Sequence, residues 1–167
     1  MKNEDLHFTD DNLYRVIIFK EAYEHMHEYC KTSNSNETGG ILIGNYSRDQ
    51  KTANILKVTP PPQNSRKTKC AFKRGTAGLK NFLDLMWEQG LYYLGEWHYH
   101  PNASPFPSGT DINQMIRFAN SSDLKCPEPI LVIIGGNLCK ESIFVAVFNK
   151  NDYVTLQKLD RCDKFLR

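Results

Sequence analysis

At 167 residues, with 40% hydrophobic and 24% charged side chains, the chain has the size and make-up of one soluble domain able to bury a sizeable core. A net charge of +2, from 21 basic and 19 acidic residues, makes no case for a nucleic-acid or membrane partner. The acidic opening MKNEDLHFTDDN lacks a signal-peptide core, runs such as ILVIIGG are too short to span a bilayer, and the five scattered cysteines contain no C-x-x-C pair, so the expectation is a disulfide-free cytoplasmic protein.

In chain order, YRVIIF (14–19) reads as a strand leading into the helix KEAYEHMHEYCK, where Phe19, Ala22, Tyr23, Met26 and Cys30 recur at helical spacing. TGGILIGNY (38–46) is a buried strand and TANILKVT (52–59) its partner, stopped by Pro60, Pro61 and Pro62. TKCAF (68–72) is a short strand. TAGLKNFLDLMWEQG is a second helix, with Leu79, Phe82, Leu83 and Met86 as its apolar stripe and Gly90 as its C-terminal stop. YYLGEWHYH (92–100) is a strand and SGTDINQMIRFAN a third helix. Strands at 129–136, 141–149 and 153–159 follow, and 160–167 is a tail. Helices interleaved with strands predict an α/β fold: a single domain over 1–167, built on one mixed sheet flanked by about three helices.

The chemistry concentrates in GEWHYHPNASPFPSGTD (95–111). Side chains two apart share a strand face, so His98 and His100 lean the same way while Trp97 and Tyr99 turn to the other. Three prolines stiffen the return loop, which delivers Ser108 as a helix N-cap and Asp111 at the third helical position. Two imidazoles and one carboxylate are three ligands, leaving a tetrahedral zinc one open position for water, as in catalytic rather than structural sites. His25 and His27 have the same spacing, but in a helix such residues diverge. Hydrolysis also requires a proton shuttle that does not ligate the metal. Glu37, at the mouth of the apolar strand ETGGILIG, is the candidate, since burial can raise a carboxyl's pKa. Gly39 and Gly40 permit close backbone approach and are candidates for a substrate-tail groove.

Glu37, then H-x-H-P, then seven residues after His100, then S-x-x-D resembles the JAMM (JAB or MPN+) metalloproteases. The resemblance implies a cytidine-deaminase-like fold, zinc on His98, His100 and Asp111, Glu37 as general base and acid, and Ser108 stabilising the oxyanion. Tyr99 stands where that family commonly has Ser or Thr. The segments PPPQNSRKTKCAFKRG and YYLGEWHYHP look most like the short bacterial JAB isopeptidases of CBASS antiphage operons. Those act on a protein conjugated through its C-terminal tail, a cyclic-oligonucleotide synthase or ubiquitin-like protein, and are encoded beside conjugation enzymes.

A metal-free MPN-type interaction scaffold is the alternative reading, and a two-histidine, one-carboxylate iron site a further one. A nucleobase deaminase is disfavoured because neither H-x-E nor P-C-x-x-C occurs. Arg66, Lys67, Lys69, Lys73 and Arg74, with no acid among them, are either a solvated face, a docking surface for an acidic partner, or an edge that pairs with a substrate tail.

Overall fold

The computed structural model describes residues 4–136 and 142–159, so the expected tail at 160–167, Cys139 and Cys162 lie outside the described residues. The strands are β1 (Leu6–Thr9), β2 (Arg15–Ile18), β3 (Thr38–Tyr46), β4 (Thr52–Val58), β5 (Arg66–Lys67), β6 (Phe72–Lys73), β7 (Tyr92–Pro101), β8 (Ile130–Gly136), β9 (Ser142–Phe148) and β10 (Tyr153–Lys158). The helices are α1 (Lys20–Lys31), α2 (Leu79–Glu88) and α3 (Gly109–Ala119).

Mixed strand pairing and three helices are as expected, but the sheet is not an open one with flanking helices. It closes into a barrel in the order β1-β10-β9-β8-β7-β3-β4-β2, with β2 parallel to β4, β7 parallel to β8, and the other pairs antiparallel. The closing piece is β1, which lies in the acidic opening MKNEDLHFTDDN, where no strand is expected from the sequence. Its alternation sends Leu6 and Phe8 into the core, each contributing about 1.5–3 kcal/mol by burial. Its two edges pair with β2 and β10. Asp10 then turns the chain, its Oδ1 accepting from the backbone N–H groups of Asn12, Leu13 and Tyr14. The expected strand at 68–72 is also different: 68–71 is the turn of a small hairpin whose arms are β5 and β6.

The helical stripes find the partners their periodicity requires. Ala22, Met26 and Cys30 of α1 join the main core with Leu42, Leu94 and Trp97, and Tyr29 stacks on Trp97 at 6.0 Å. On the opposite face, α2 packs Leu79, Phe82, Leu83 and Met86 against Ile41, Ile43 and Tyr93. Beside it, α3 packs Ile112, Met115 and Ile116 against Leu131, Ile133 and Phe144.

A bulge in β7 sets the orientation of everything downstream. Its register against β3 slips between Leu42–Gly95 and Ile43–Tyr93. Gly95 sits there at φ +148°, and a Cβ on it would strike the Ile130 backbone. Because of the slip, Leu94 and Trp97 both enter the main core although they are three apart. Glu96, His98 and His100 then share the opposite face, as alternation along a strand requires.

Candidate metal and hydrolytic site

Strand β7 presents His98 and His100 from its last turn of pleat, both buried, at 3% and 8% exposure. Their rings lie 6.5 Å apart. Trp97 and Tyr99 point the other way into the main core, as expected. The proline loop is held to the end of β8: Asn102 donates its N–H to the Gly136 carbonyl at 3.2 Å, and Gly136 donates to that of Ala103 at 2.6 Å. The chain therefore returns with its path fixed to begin α3 at Ser108.

There Ser108 forms a capping box with Asp111. The Asp111 N–H donates to Ser108 Oγ at 3.2 Å, and the Ser108 N–H donates to Asp111 Oδ2 at 2.8 Å. Ser108 Oγ also lies 2.7 Å from the same carboxylate oxygen. The box aims Asp111 at the two imidazoles, with His98 Nδ1 3.0 Å from Oδ1 and His100 Nε2 3.7 Å from Oδ2.

Ligand atoms of His98, His100 and Asp111 all fall within 4.8 Å of one another, and they are the one such group of His, Cys, Asp or Glu among the described residues. Two ligands bonded to a common tetrahedral zinc at about 2.0–2.2 Å stand about 3.3–3.6 Å apart, so the observed nitrogen–oxygen spacings bracket what one ion needs. The His98 nitrogen that faces Asp111 is Nδ1, while its Nε2 is buried and has no hydrogen-bond partner among the described residues, so a ligating role for either nitrogen leaves the other to be accounted for. Protonation states also suit ligation. Burial alone would raise Asp111, but hydrogen bonds and charge from His98, reinforced by Ser108, outweigh it and hold the carboxyl well below its usual range. Burial lowers His100 and favours neutral imidazole, against the pull of Asp111. The residues thus fit a divalent ion with an N/N/O donor set.

Glu37 stands half-buried where the chain enters β3. Burial raises its pKa and the negative charge of Asp111 raises it further, while His98 opposes both. Its backbone N–H donates to the Thr68 carbonyl at 2.8 Å, which ties it to the hairpin. Gly39 and Gly40 are buried, and each has a packing reason. A Cβ on Gly39 would stand 2.8 Å from the Phe72 ring and 3.0 Å from His98, and one on Gly40 would stand 2.9 Å from the Trp97 indole nitrogen. His25 and His27 remain on α1, apart from the cluster.

A buried polar network beneath the site is not evident in the sequence. Arg74, which reads there as part of a basic run, turns inward: its Nε lies 2.7 Å from Glu96 Oε2, with the two side chains 7% and 0% exposed. Arg74 also donates to the Gly75 carbonyl at 2.9 Å and covers the Phe118 ring at 5.5 Å. Tyr93 donates its hydroxyl to Glu96 Oε1 at 2.7 Å. Burial raises Glu96, while Arg74 and Tyr93 pull it back. This network anchors the hairpin, which places Phe72 edge-on to His98 at 5.6 Å. The signal available in the sequence was Glu96 two residues before His98, on the same strand face.

Residues 19–147 match the family described as prokaryotic homologs of the JAB domain, Prok-JAB. The chain belongs to this family. A protein of Enterobacter hormaechei named "CD-NTase/cGAS isopeptidase" is 44% identical over 82% of this chain and 77% of its own length. A protein of the same name from Escherichia coli is 28% identical over 95% and 97%. One from Sinorhizobium fredii, named "Probable metalloprotease y4qB", is 29% identical over 60% and 63%. The solved structure of DSY2949 from Desulfitobacterium hafniense superposes with a TM-score of 0.63 over 83% of this chain and 87% of that one, at 19% identity, and so shares the fold.

Proposed function

We propose that this Prok-JAB protein is a JAMM-type zinc isopeptidase that cuts the amide bond after the C-terminal tail of a conjugated protein. The observation that carries the reading is the buried His98–His100–Asp111 cluster. A zinc ion held by those three residues would supply Lewis acidity, acidifying a water ligand and polarising the scissile carbonyl. Glu37 is the proton carrier: its raised pKa suits a carboxylate that accepts a proton from water and then gives it to the leaving amine. Ser108 orients Asp111 through the capping box, and its hydroxyl, which here donates to Asp111 Oδ2, is our candidate donor to the developing oxyanion once that carboxylate oxygen is turned to a metal. Of the two glycines, Gly39 faces Phe72 and His98 and is the one we keep for the substrate tail, whereas Gly40 packs on Trp97 and Thr59.

The name carried by the relatives, CD-NTase/cGAS isopeptidase, supports a synthase of that class as the conjugated protein; an operon-encoded conjugation system as partner, and antiviral defence in the cytoplasm as the setting, are our proposal from the resemblance in sequence. The alternative, a metal-free interaction scaffold, leaves the convergence of His98, His100 and Asp111 without a role. The test is elemental analysis of the purified protein, together with mass-resolved cleavage of a synthase joined through its C-terminus to a lysine amine, with and without chelator. One equivalent of zinc and chelator-sensitive release of the intact synthase are expected. A protein that binds no metal, or that cuts equally well in chelator, would refute the proposal.

A further inference from the structure

The hairpin over the site divides its charges in two. Arg74 is consumed by the buried pair with Glu96. Arg66, Lys67, Lys69 and Lys73 are exposed, and none pairs with an acidic side chain among the described residues. No acid occurs anywhere in 61–75. This concentration is local, because the whole chain carries only +2. The hairpin also lies against the chemistry: Thr68 accepts from the Glu37 N–H at 2.8 Å, and Phe72 meets His98 at 5.6 Å.

We infer that these four cations form a docking strip for an acidic stretch of the substrate's C-terminal tail, within a few residues of the bond to be cut. The inference rests on the isopeptidase reading and adds to it the chemistry of the tail. An extended tail advances about 3.3 Å per residue, so carboxylates placed three to six residues before the scissile bond fall within reach of a hairpin that touches the site. Each exposed pair contributes little, but several together give roughly tenfold preference at low salt. Nucleic acid is the poorer fit, because binding by phosphate neutralisation needs more cations than one short hairpin provides.

The test measures binding separately from catalysis. A fluorescent ten-residue peptide with three Glu residues in its last six positions, and a counterpart with Gln at those positions, are titrated into the full chain by anisotropy. The Glu peptide is expected to bind about tenfold more tightly in low salt, with the advantage shrinking at high salt. It should collapse to about onefold in a Lys67→Glu/Lys69→Glu variant of unchanged melting temperature, and persist in the remote control Lys125→Glu. Equal affinity for the two peptides, a preference that survives the double reversal, or a short single-stranded DNA that displaces the Glu peptide and binds more tightly would each overturn it. The same peptides joined to a lysine amine separate the two claims. Cleavage of both at equal efficiency sinks the strip and leaves the isopeptidase, whereas cleavage of neither sinks the isopeptidase and, with it, the strip as a substrate-tail site, even if the Glu peptide still binds preferentially.

Discussion

Replacing Arg74 with Ala tests the buried network directly. The change strands Glu96, which is fully buried and would keep only the Tyr93 hydroxyl as a partner. Removing one member of a buried ion pair costs about 3–5 kcal/mol, because the remaining charge is left uncompensated. Against a total stability of about 5–15 kcal/mol this is a large fraction. At about 2–4 °C per kcal/mol for a chain of this size it predicts a fall of roughly 6–20 °C in melting temperature. The loss has a defined pH dependence. Without Arg74, burial keeps the folded-state pKa of Glu96 above its ordinary value of 4.5. A group raised in the folded state is no burden below its unfolded pKa and becomes one as pH climbs through the folded pKa. The penalty should therefore be smaller at pH 5 than at pH 8, and Arg74→Ala/Glu96→Gln should recover a good part of it at the higher pH. Urea unfolding of the wild type and both variants at the two pH values measures this. A loss under about 1 kcal/mol at pH 8, or one independent of pH, would refute the argument that the pair is a desolvated anchor.

The site makes its own demands. Glu37→Gln should retain the metal but slow cleavage by about 10²–10⁴, as seen by elemental analysis and single-turnover assay; full activity would remove Glu37 from the reaction. His100→Ala and Asp111→Ala should each lose the metal, and undiminished occupancy in either would invalidate the ligand assignment. Ser108→Ala removes the cap oxygen, costing about 1 kcal/mol, and as oxyanion donor it should also cost about 10²–10³ in turnover. A lower melting temperature with unchanged turnover would leave Ser108 the cap alone. Because burial and Asp111 raise Glu37, its basic form is lost on acidification before an ordinary carboxylate would be. In the metal-free protein the Glu37 carboxyl should therefore titrate above the usual glutamate range, as followed by NMR with Glu37→Gln as the control, and a divalent ion bound at Asp111 should bring it down by offsetting the negative charge there.

Much of the site is legible from spacing because local geometry builds it. Alternation along one strand unites His98 with His100, and a capping box over four residues orients Asp111. The helical stripes of α2 and α3 are legible for the same reason. Three features escape a local reading. The bulge at Gly95 breaks the alternation that would put Tyr93 with Trp97, and it depends on the close approach of the Ile130 backbone from a strand 35 positions away. Arg74 looks like one of five cations until the fold brings Glu96 beneath it. The strand Leu6–Thr9 is four residues in an acidic setting, too short for its period to stand out, and it forms only because β2 and β10 each offer it an open edge.

That short strand gives the molecule a seam. Deleting the first nine residues would bare the unpaired flanks of β2 and β10 and remove Leu6 and Phe8 from the apolar core. Exposed flanks of this kind recruit a strand from another copy, so a truncated chain should form dimers or higher aggregates by exchange, and a synthetic LHFT-containing peptide should restore the monomer.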